Sequence, residues 1–246
     1  YLENRLTLSV EKCNTMIINN NLATKIDNFH LTLGSHDLEN VSEMKYLGLT
    51  IDEKLNWHSH ISNVVKKVNI NNARVRRTGN ILPQSVKLQY HNALSVPVID
   101  YSSTVWANYS QQNEKLISRI EHMSARAISG NYDFVNTRGA LLMSDLGMNN
   151  FRTRNQYHLS LIMYKAIHGL VPDYIANNIL FSYEVNQRNL RSFDNMSLYK
   201  PKPHCEIFKK SLQYAGANTW NTLPLTLKES NSVKNFKIGY KSIMFT

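Results

Sequence analysis

The chain of 246 residues carries 28 Lys and Arg against 18 Asp and Glu, a formal charge of +10 at neutral pH. With 42% hydrophobic residues and a mean hydropathy of −0.37, the composition is that of a globular chain with one large core or two smaller ones. It excludes a disordered or membrane-spanning class: the longest apolar stretch, Leu159 to Ile167, is broken by Ser160 and Lys165, well short of the roughly 18 residues a span needs.

The opening YLENRLTLSVEK carries charge through what would be the apolar centre of a signal peptide, which argues against secretion. It lacks an initiator Met and begins in mid-pattern, as expected for a piece of a longer, intracellular protein. Residues 6 to 51 read as β-rich. Leu6, Leu8 and Val10 alternate with polar residues, with one helical turn near Val10; Met16 to Ile18 is a short apolar run, and Phe29, Leu31 and Leu33 alternate again. Gly34-Ser35-His36-Asp37 marks a turn, and Tyr46 to Ile51 reads as a further strand. Together these predict a small antiparallel sheet.

From Trp57 the period changes to that of a helix. Ile61, Val64, Val65, Val68 and Asn72 share one face until Thr78-Gly79-Asn80 stops it. Pro83 opens a second helix, with Val86, Tyr90 and Leu94 on its apolar face. Val98 to Trp106 is an apolar-aromatic passage; Leu116, Ile117, Ile120, Met123 and Ala127 define a third helix ending at Gly130. After a connection holding one short helix, Asn150 caps a fourth in which Phe151, Arg154, His158, Leu161, Ile162 and Ile167 run to Gly169. Residues 182 to 206 are polar and predict an extended loop, followed by a last module with YAGANTWNTLP and the amphipathic SVKNFKIGYKSIMF. The fold class expected is α+β: a small β head followed by a mostly helical body.

Motifs for chemistry are sparse. His58-x-His60 and His204-Cys205 are the tight groups of ligand types, and no second pair stands at finger spacing, so no metal site is expected. Cys13 and Cys205 lie far apart and read as free thiols. There is no G-x-S-x-G, Walker loop, Rossmann glycine pattern or H-E-x-x-H. Nor is there an Asp-Asp pair, so this chain by itself is not expected to polymerise a nucleic acid. The informative stretch is KKVNINNARVRR, which places Lys66, Lys67, Arg74, Arg76 and Arg77 on about three helical turns. No acidic residue stands between Glu53 and Asp100, so these cations lack local partners and suit a phosphate backbone; Lys87 adds to their field. The positive balance as a whole points to nucleic acid before acidic membrane.

In order and spacing, four segments resemble the C-terminal part of a non-LTR retrotransposon (LINE-type) reverse transcriptase of the Jockey-related branch. NRLTLSVEKCNTMII is similar to that family's fourth palm motif, N-x-L-x-L-N-x-x-K-T-x-x-M. YLGLTIDEKLNWHSHI resembles its primer grip and the start of its thumb. LPQSVKLQYHNALSVPVIDYSSTVW is similar to its thumb landmarks, and YKAIHGLVPDYI, RNLRS and YAGANTWNTLP to its post-thumb signatures. The resemblance implies the end of a palm at residues 1–52, a helical thumb at 53–130 and a helical C-terminal extension at 131–246. Tyr46, Leu47 and Gly48 would form the primer-grip hairpin, and Trp57 would pack the joint between palm and thumb. The basic helix would follow an RNA/DNA primer–template duplex, and Lys12 would be a candidate general acid toward the pyrophosphate leaving group.

The aspartate motifs of the family fall upstream of residue 1. Catalysis, its Mg²⁺ and the RNA template's active-site contacts would therefore need the N-terminal palm and fingers. No cofactor and no membrane contact are expected of this chain, and the intact retrotransposon protein would be nuclear. Ser9 and Cys13 replace the family's Asn and Thr, and Tyr101-Ser102 its Tyr-Gly, as in a decayed or fragmentary copy. The alternatives are a stand-alone nucleic-acid-binding module or an inert remnant. Arg188, Arg191, Lys200, Lys202, Lys209 and Lys210 in the extension would bind RNA or merely solvate a loop.

Overall fold

A computed structural model of the chain describes residues 9–18, 30–107, 110–185, 195–206 and 208–244. Its strands come first. After a 3₁₀ turn at Val10–Lys12 come β1 (Asn14–Thr15), β2 (Leu31–Leu33), β3 (His36–Asn40), β4 (Glu43–Tyr46) and β5 (Leu49–Asp52). The first three form one sheet in the order β1-β3-β2, and the last two a separate hairpin.

The pairs β2–β3 and β4–β5 are antiparallel as expected, but β1 runs parallel to β3, with Asn14 opposite Glu39 and Thr15 opposite Asn40. Alternation reports which face is apolar and carries no direction; the long connection from 16 to 30 permits the crossover that a parallel pair requires. Leu6, Leu8 and Phe29 lie outside the described residues. The run Tyr46 to Ile51 is not one strand. Leu47 (φ +45°) and Gly48 (φ +84°) fold it into a two-residue turn joining β4 to β5, both central positions having the positive φ of a type I′ hairpin.

The rest is helical. α1 (His58–Arg77) buries Ile61, Val64 and Val68 of its predicted stripe and Val75 in addition, while Val65 and Asn72 are half-buried. In α2 (Gln84–Leu94) the face differs from expectation. Val86 and Leu94 are exposed while Lys87 and His91 are buried. The Lys87 ammonium donates to the Gly79 carbonyl, which satisfies an end of the turn after α1 and removes this cation from the surface field. The passage to Trp106 becomes two short helices, α3 (Val96–Asp100) and α4 (Ser103–Trp106). α5 (Gln111–Ser129) is capped by Ser110, whose hydroxyl accepts the Asn113 N–H, and stops at Gly130 with φ +74°.

α6 (Gly139–Asp145) precedes α7 (Phe151–Ile167), where the Asn150 side chain accepts the Thr153 N–H at 2.9 Å as the sequence predicts. α8 (Asp173–Ala176) and α9 (Ser182–Val185) are single turns, so the polar stretch from 182 begins as helix. Its far end is pinned as well: Leu198 is 1% exposed, and Asn221 pairs with both its N–H and its carbonyl. A π-helical turn at Leu212–Gly216 leads into α10 (Ala217–Asn221), α11 (Leu225–Lys228) and α12 (Val233–Met244).

Two cores result. The first joins Leu49 of β5, Trp57, Ile61, Val64 and Val68 of α1, Ile99, Trp106, Ile117 and Ile120, and Phe151. The second joins Met163, Tyr164, Leu198, Trp220, Leu227, Phe236 and Tyr240. α7 contributes its first residue to one and Met163 and Tyr164, near its C-terminal end, to the other. Cys13 and Cys205 are free thiols, as expected. Among the described residues, no helix is long and apolar enough to cross a membrane.

Candidate nucleic-acid interface

The hairpin β4–β5 is locked to the helical body at three points. Asp52 ends β5 and turns its carboxylate onto the chain that follows, accepting the N–H groups of Lys54, Asn56 and Trp57 at 3.1, 3.1 and 2.9 Å. That clamp holds Leu55 (φ +51°) and Trp57 (φ +63°) in left-handed backbone, which bulky residues rarely adopt. Trp57 is thereby driven into the core beside Leu49. In mid-strand, the Thr50 N–H donates to His60 Nδ1 at 3.4 Å. At the tip, the Tyr101 hydroxyl donates to the Leu47 carbonyl at 2.8 Å. Gly48 lies against the same ring: a Cβ there would meet Tyr101 Cε1 at 3.3 Å. Tyr101 is itself positioned by Ser102, another left-handed residue (φ +50°), and by the Trp106 indole donating to the Tyr101 carbonyl at 2.8 Å. The result is a rigid tip whose Tyr46 and Leu47 side chains stay 60% and 74% exposed.

His58 and His60 do not form a ligand pair. His58 Nδ1 bonds with the Asn113 side chain at 3.0 Å, while His60 is buried edge-on to Trp106. Burial, assisted by the charge of Lys67, holds the His60 pKa below the usual histidine value. Among the described residues, no group of three His, Cys, Asp or Glu side chains gathers into a possible metal site.

All five predicted cations of α1 are exposed, and among the described residues none lies within ion-pair distance of a carboxylate. They do not share one face. At about 100° per residue, Lys66, Lys67, Arg74 and Arg77 fall within roughly a 100° arc that includes the exposed Ile70, whereas Arg76 lies about 80° beyond its edge. Arg76 faces the connection after α5, where its charge reaches Tyr132. Arg74 donates to the Asn71 side chain at 3.3 Å, and Asn71 in turn holds the Leu94 carbonyl of α2 at 3.1 Å. Lys12 is exposed in the 3₁₀ turn of the small sheet. Among the described residues, no hydrogen bond links it to the hairpin or to α1, and no carboxylate ion-pairs with it. Arg188 and Arg191 lie outside the described residues.

Sequence reasoning missed a buried ionic cluster between α3, α5 and α7. Arg154 donates through Nε to both Asp100 oxygens at 3.0 Å and through Nη1 to Glu121 at 3.0 Å; His158 approaches Asp100 at 3.5 Å. Burial raises the Glu121 pKa despite the attraction of Arg154. His91 borders the cluster, and burial together with the charge of Arg154 lowers its pKa to about 4, against a smaller upward pull from Asp100. Both carboxylates are occupied by the guanidinium, so the cluster reads as a tie between helices. The cue in the sequence was the i, i+4 pair Arg154 and His158 on a face otherwise meant for the core. Compared with protein-family models, curated proteins and solved structures, the chain has no match.

Proposed function

We propose that the chain is the duplex-gripping part of an RNA-directed DNA polymerase of the non-LTR retrotransposon type. In this reading the β4–β5 tip seats the primer end and α1 follows the RNA/DNA backbone. The observation that carries it is the pairing of a locked, solvent-facing hairpin tip with an unpaired cationic arc on the helix that leaves it. Lys66 and Arg77 stand about 16 Å apart along the axis, enough to touch several phosphates without reading bases. Ser102 adds support: it holds a left-handed backbone where the resembled family has glycine.

The chemistry would belong to the N-terminal palm and fingers, with their carboxylates and Mg²⁺; Lys12 would be their partner as a general acid only once that palm is present. Intracellular and nuclear location follow from the same reading. The test is anisotropy titration of a labelled RNA/DNA primer–template against the chain over a salt series. Changing Lys66, Lys67, Arg74 and Arg77 to Gln should flatten the slope of log K against log salt by about 3, at somewhat under one per lost phosphate contact. Arg76→Gln should change it far less. Superimposable curves for the fourfold variant and the parent would remove α1 from the duplex.

A further inference from the structure

On the opposite edge of α5 from its core face, Lys115, Arg119, His122 and Arg126 recur at i, i+4, i+7 and i+11, one stripe of a helix. They line a cleft of about 770 Å³ between α5 and the loop that leads to Gly139. Lys115 and Arg119 are exposed, and among the described residues no carboxylate ion-pairs with either. Glu114, which also borders the cleft, is held by Arg152 at 3.1 Å. Burial and the neighbouring Arg126 lower the His122 pKa.

The loop wall is built around Arg126. This guanidinium is buried and donates to the carbonyls of Asn131, Asp133 and Thr137. It lies 4.3 Å from the centre of the Phe134 ring. Phe134 is nonetheless 63% exposed, and its neighbour Val135 is 91% exposed. An aromatic ring backed by a fixed cation and left open to solvent is a stacking surface. The Asp133 carboxylate does not compete for that surface, because it accepts the N–H groups of Val135 and Asn136.

We propose that this cleft seats a single-stranded nucleic acid, with one unpaired base stacked on Phe134 and flanking phosphates on Lys115 and Arg119. A duplex buries its base faces and offers none to the ring, whereas every unpaired base has one, so binding is sequence-tolerant. The site extends the nucleic-acid reading to a second strand contact. It uses none of the α1 cations, so the two proposals fail separately.

The test uses the whole chain and two labelled probes, an oligo(dT) of about 12 nucleotides and a blunt RNA/DNA duplex. Phe134→Ala should weaken oligo(dT) binding by about five- to a hundredfold, the range that base–aromatic stacking supplies, and leave duplex binding within about twofold. Phe134→Trp should retain oligo(dT) binding, which separates stacking from any loss of fold. Lys115→Gln with Arg119→Gln should flatten the single-strand salt slope by about 1.4. Three results would overturn the cleft: no oligo(dT) binding by the parent chain, unchanged binding by Phe134→Ala, or equal losses on both probes. A Lys66→Gln, Arg77→Gln variant indistinguishable from the parent on the duplex would instead count against the α1 grip alone.

Discussion

At Leu47 a bulky aliphatic residue holds φ +45° and leaves 74% of itself in water. Type I′ turns favour Asn-Gly, because Asn tolerates left-handed backbone and Leu does not. Local preference is therefore violated at the tip of the hairpin proposed to seat the primer, which is where a residue retained for contact rather than stability would stand. Leu47→Asn is expected to stabilise the fold by about 1 kcal/mol and at the same time to weaken primer–template binding. Urea midpoints and anisotropy measured on one preparation check both signs. A variant that gains stability and loses no affinity would leave Leu47 without a part in the grip.

Among the elements, α3, α5 and α7 are tied by Arg154, whose side chain is only 14% exposed, as are those of its partners Asp100 (13%) and Glu121 (5%). Removing one member of such a group strands buried charge and costs about 3–5 kcal/mol. The neighbouring pair of Arg152 and Glu114, 76% and 43% exposed, should contribute about 0–1 kcal/mol. Urea unfolding of Arg154→Met beside Arg152→Gln should show that contrast; equal midpoints would mean that the cluster is solvated. The sequence offered only the polar pair Arg154 and His158 on a core face as a cue; the partners of Arg154 were illegible because they stand 54 and 33 positions away. α1 and α5, by contrast, were plain: an unbroken apolar period and a glycine stop encode them locally. The inward face of α2 was illegible as well, since Lys87 is buried by donating to the Gly79 carbonyl, a contact that no periodicity reveals. The residue pattern alone read Tyr46 to Ile51 as one strand, and the hairpin came only from the resemblance; the cations were legible through their number, but the splitting of Arg76 from the others follows from helical geometry. The stacking loop at Phe134 carried no signal, as its form depends on Arg126 reaching three carbonyls.

For the whole molecule, His91 sets an acid sensitivity. Its folded pKa of about 4 lies below the ordinary histidine value of 6.5, so the unfolded chain binds a proton that the folded chain refuses. Its contribution is intact above pH 6.5, falls as the pH drops through the window, and levels off near 4, a loss of about 3 kcal/mol in total. Glu121 acts in the opposite sense, because its raised pKa favours the folded chain at low pH. Unfolding free energies at pH 7 and pH 5 should therefore differ by about 2 kcal/mol more in the parent than in His91→Gln; parallel profiles would exclude His91 as the cause. One further consequence belongs to α7, which enters the first core with Phe151 and the second with Met163 and Tyr164. A shared helix fixes the phase between the two cores as well as their separation. One residue inserted between Thr153 and Ser160 would turn the second core about 100° against the first, whereas seven would restore the angle and move them about 10 Å apart. The spacing of the two cores is thus counted in helical turns, and a change of length inside α7 is felt by both at once.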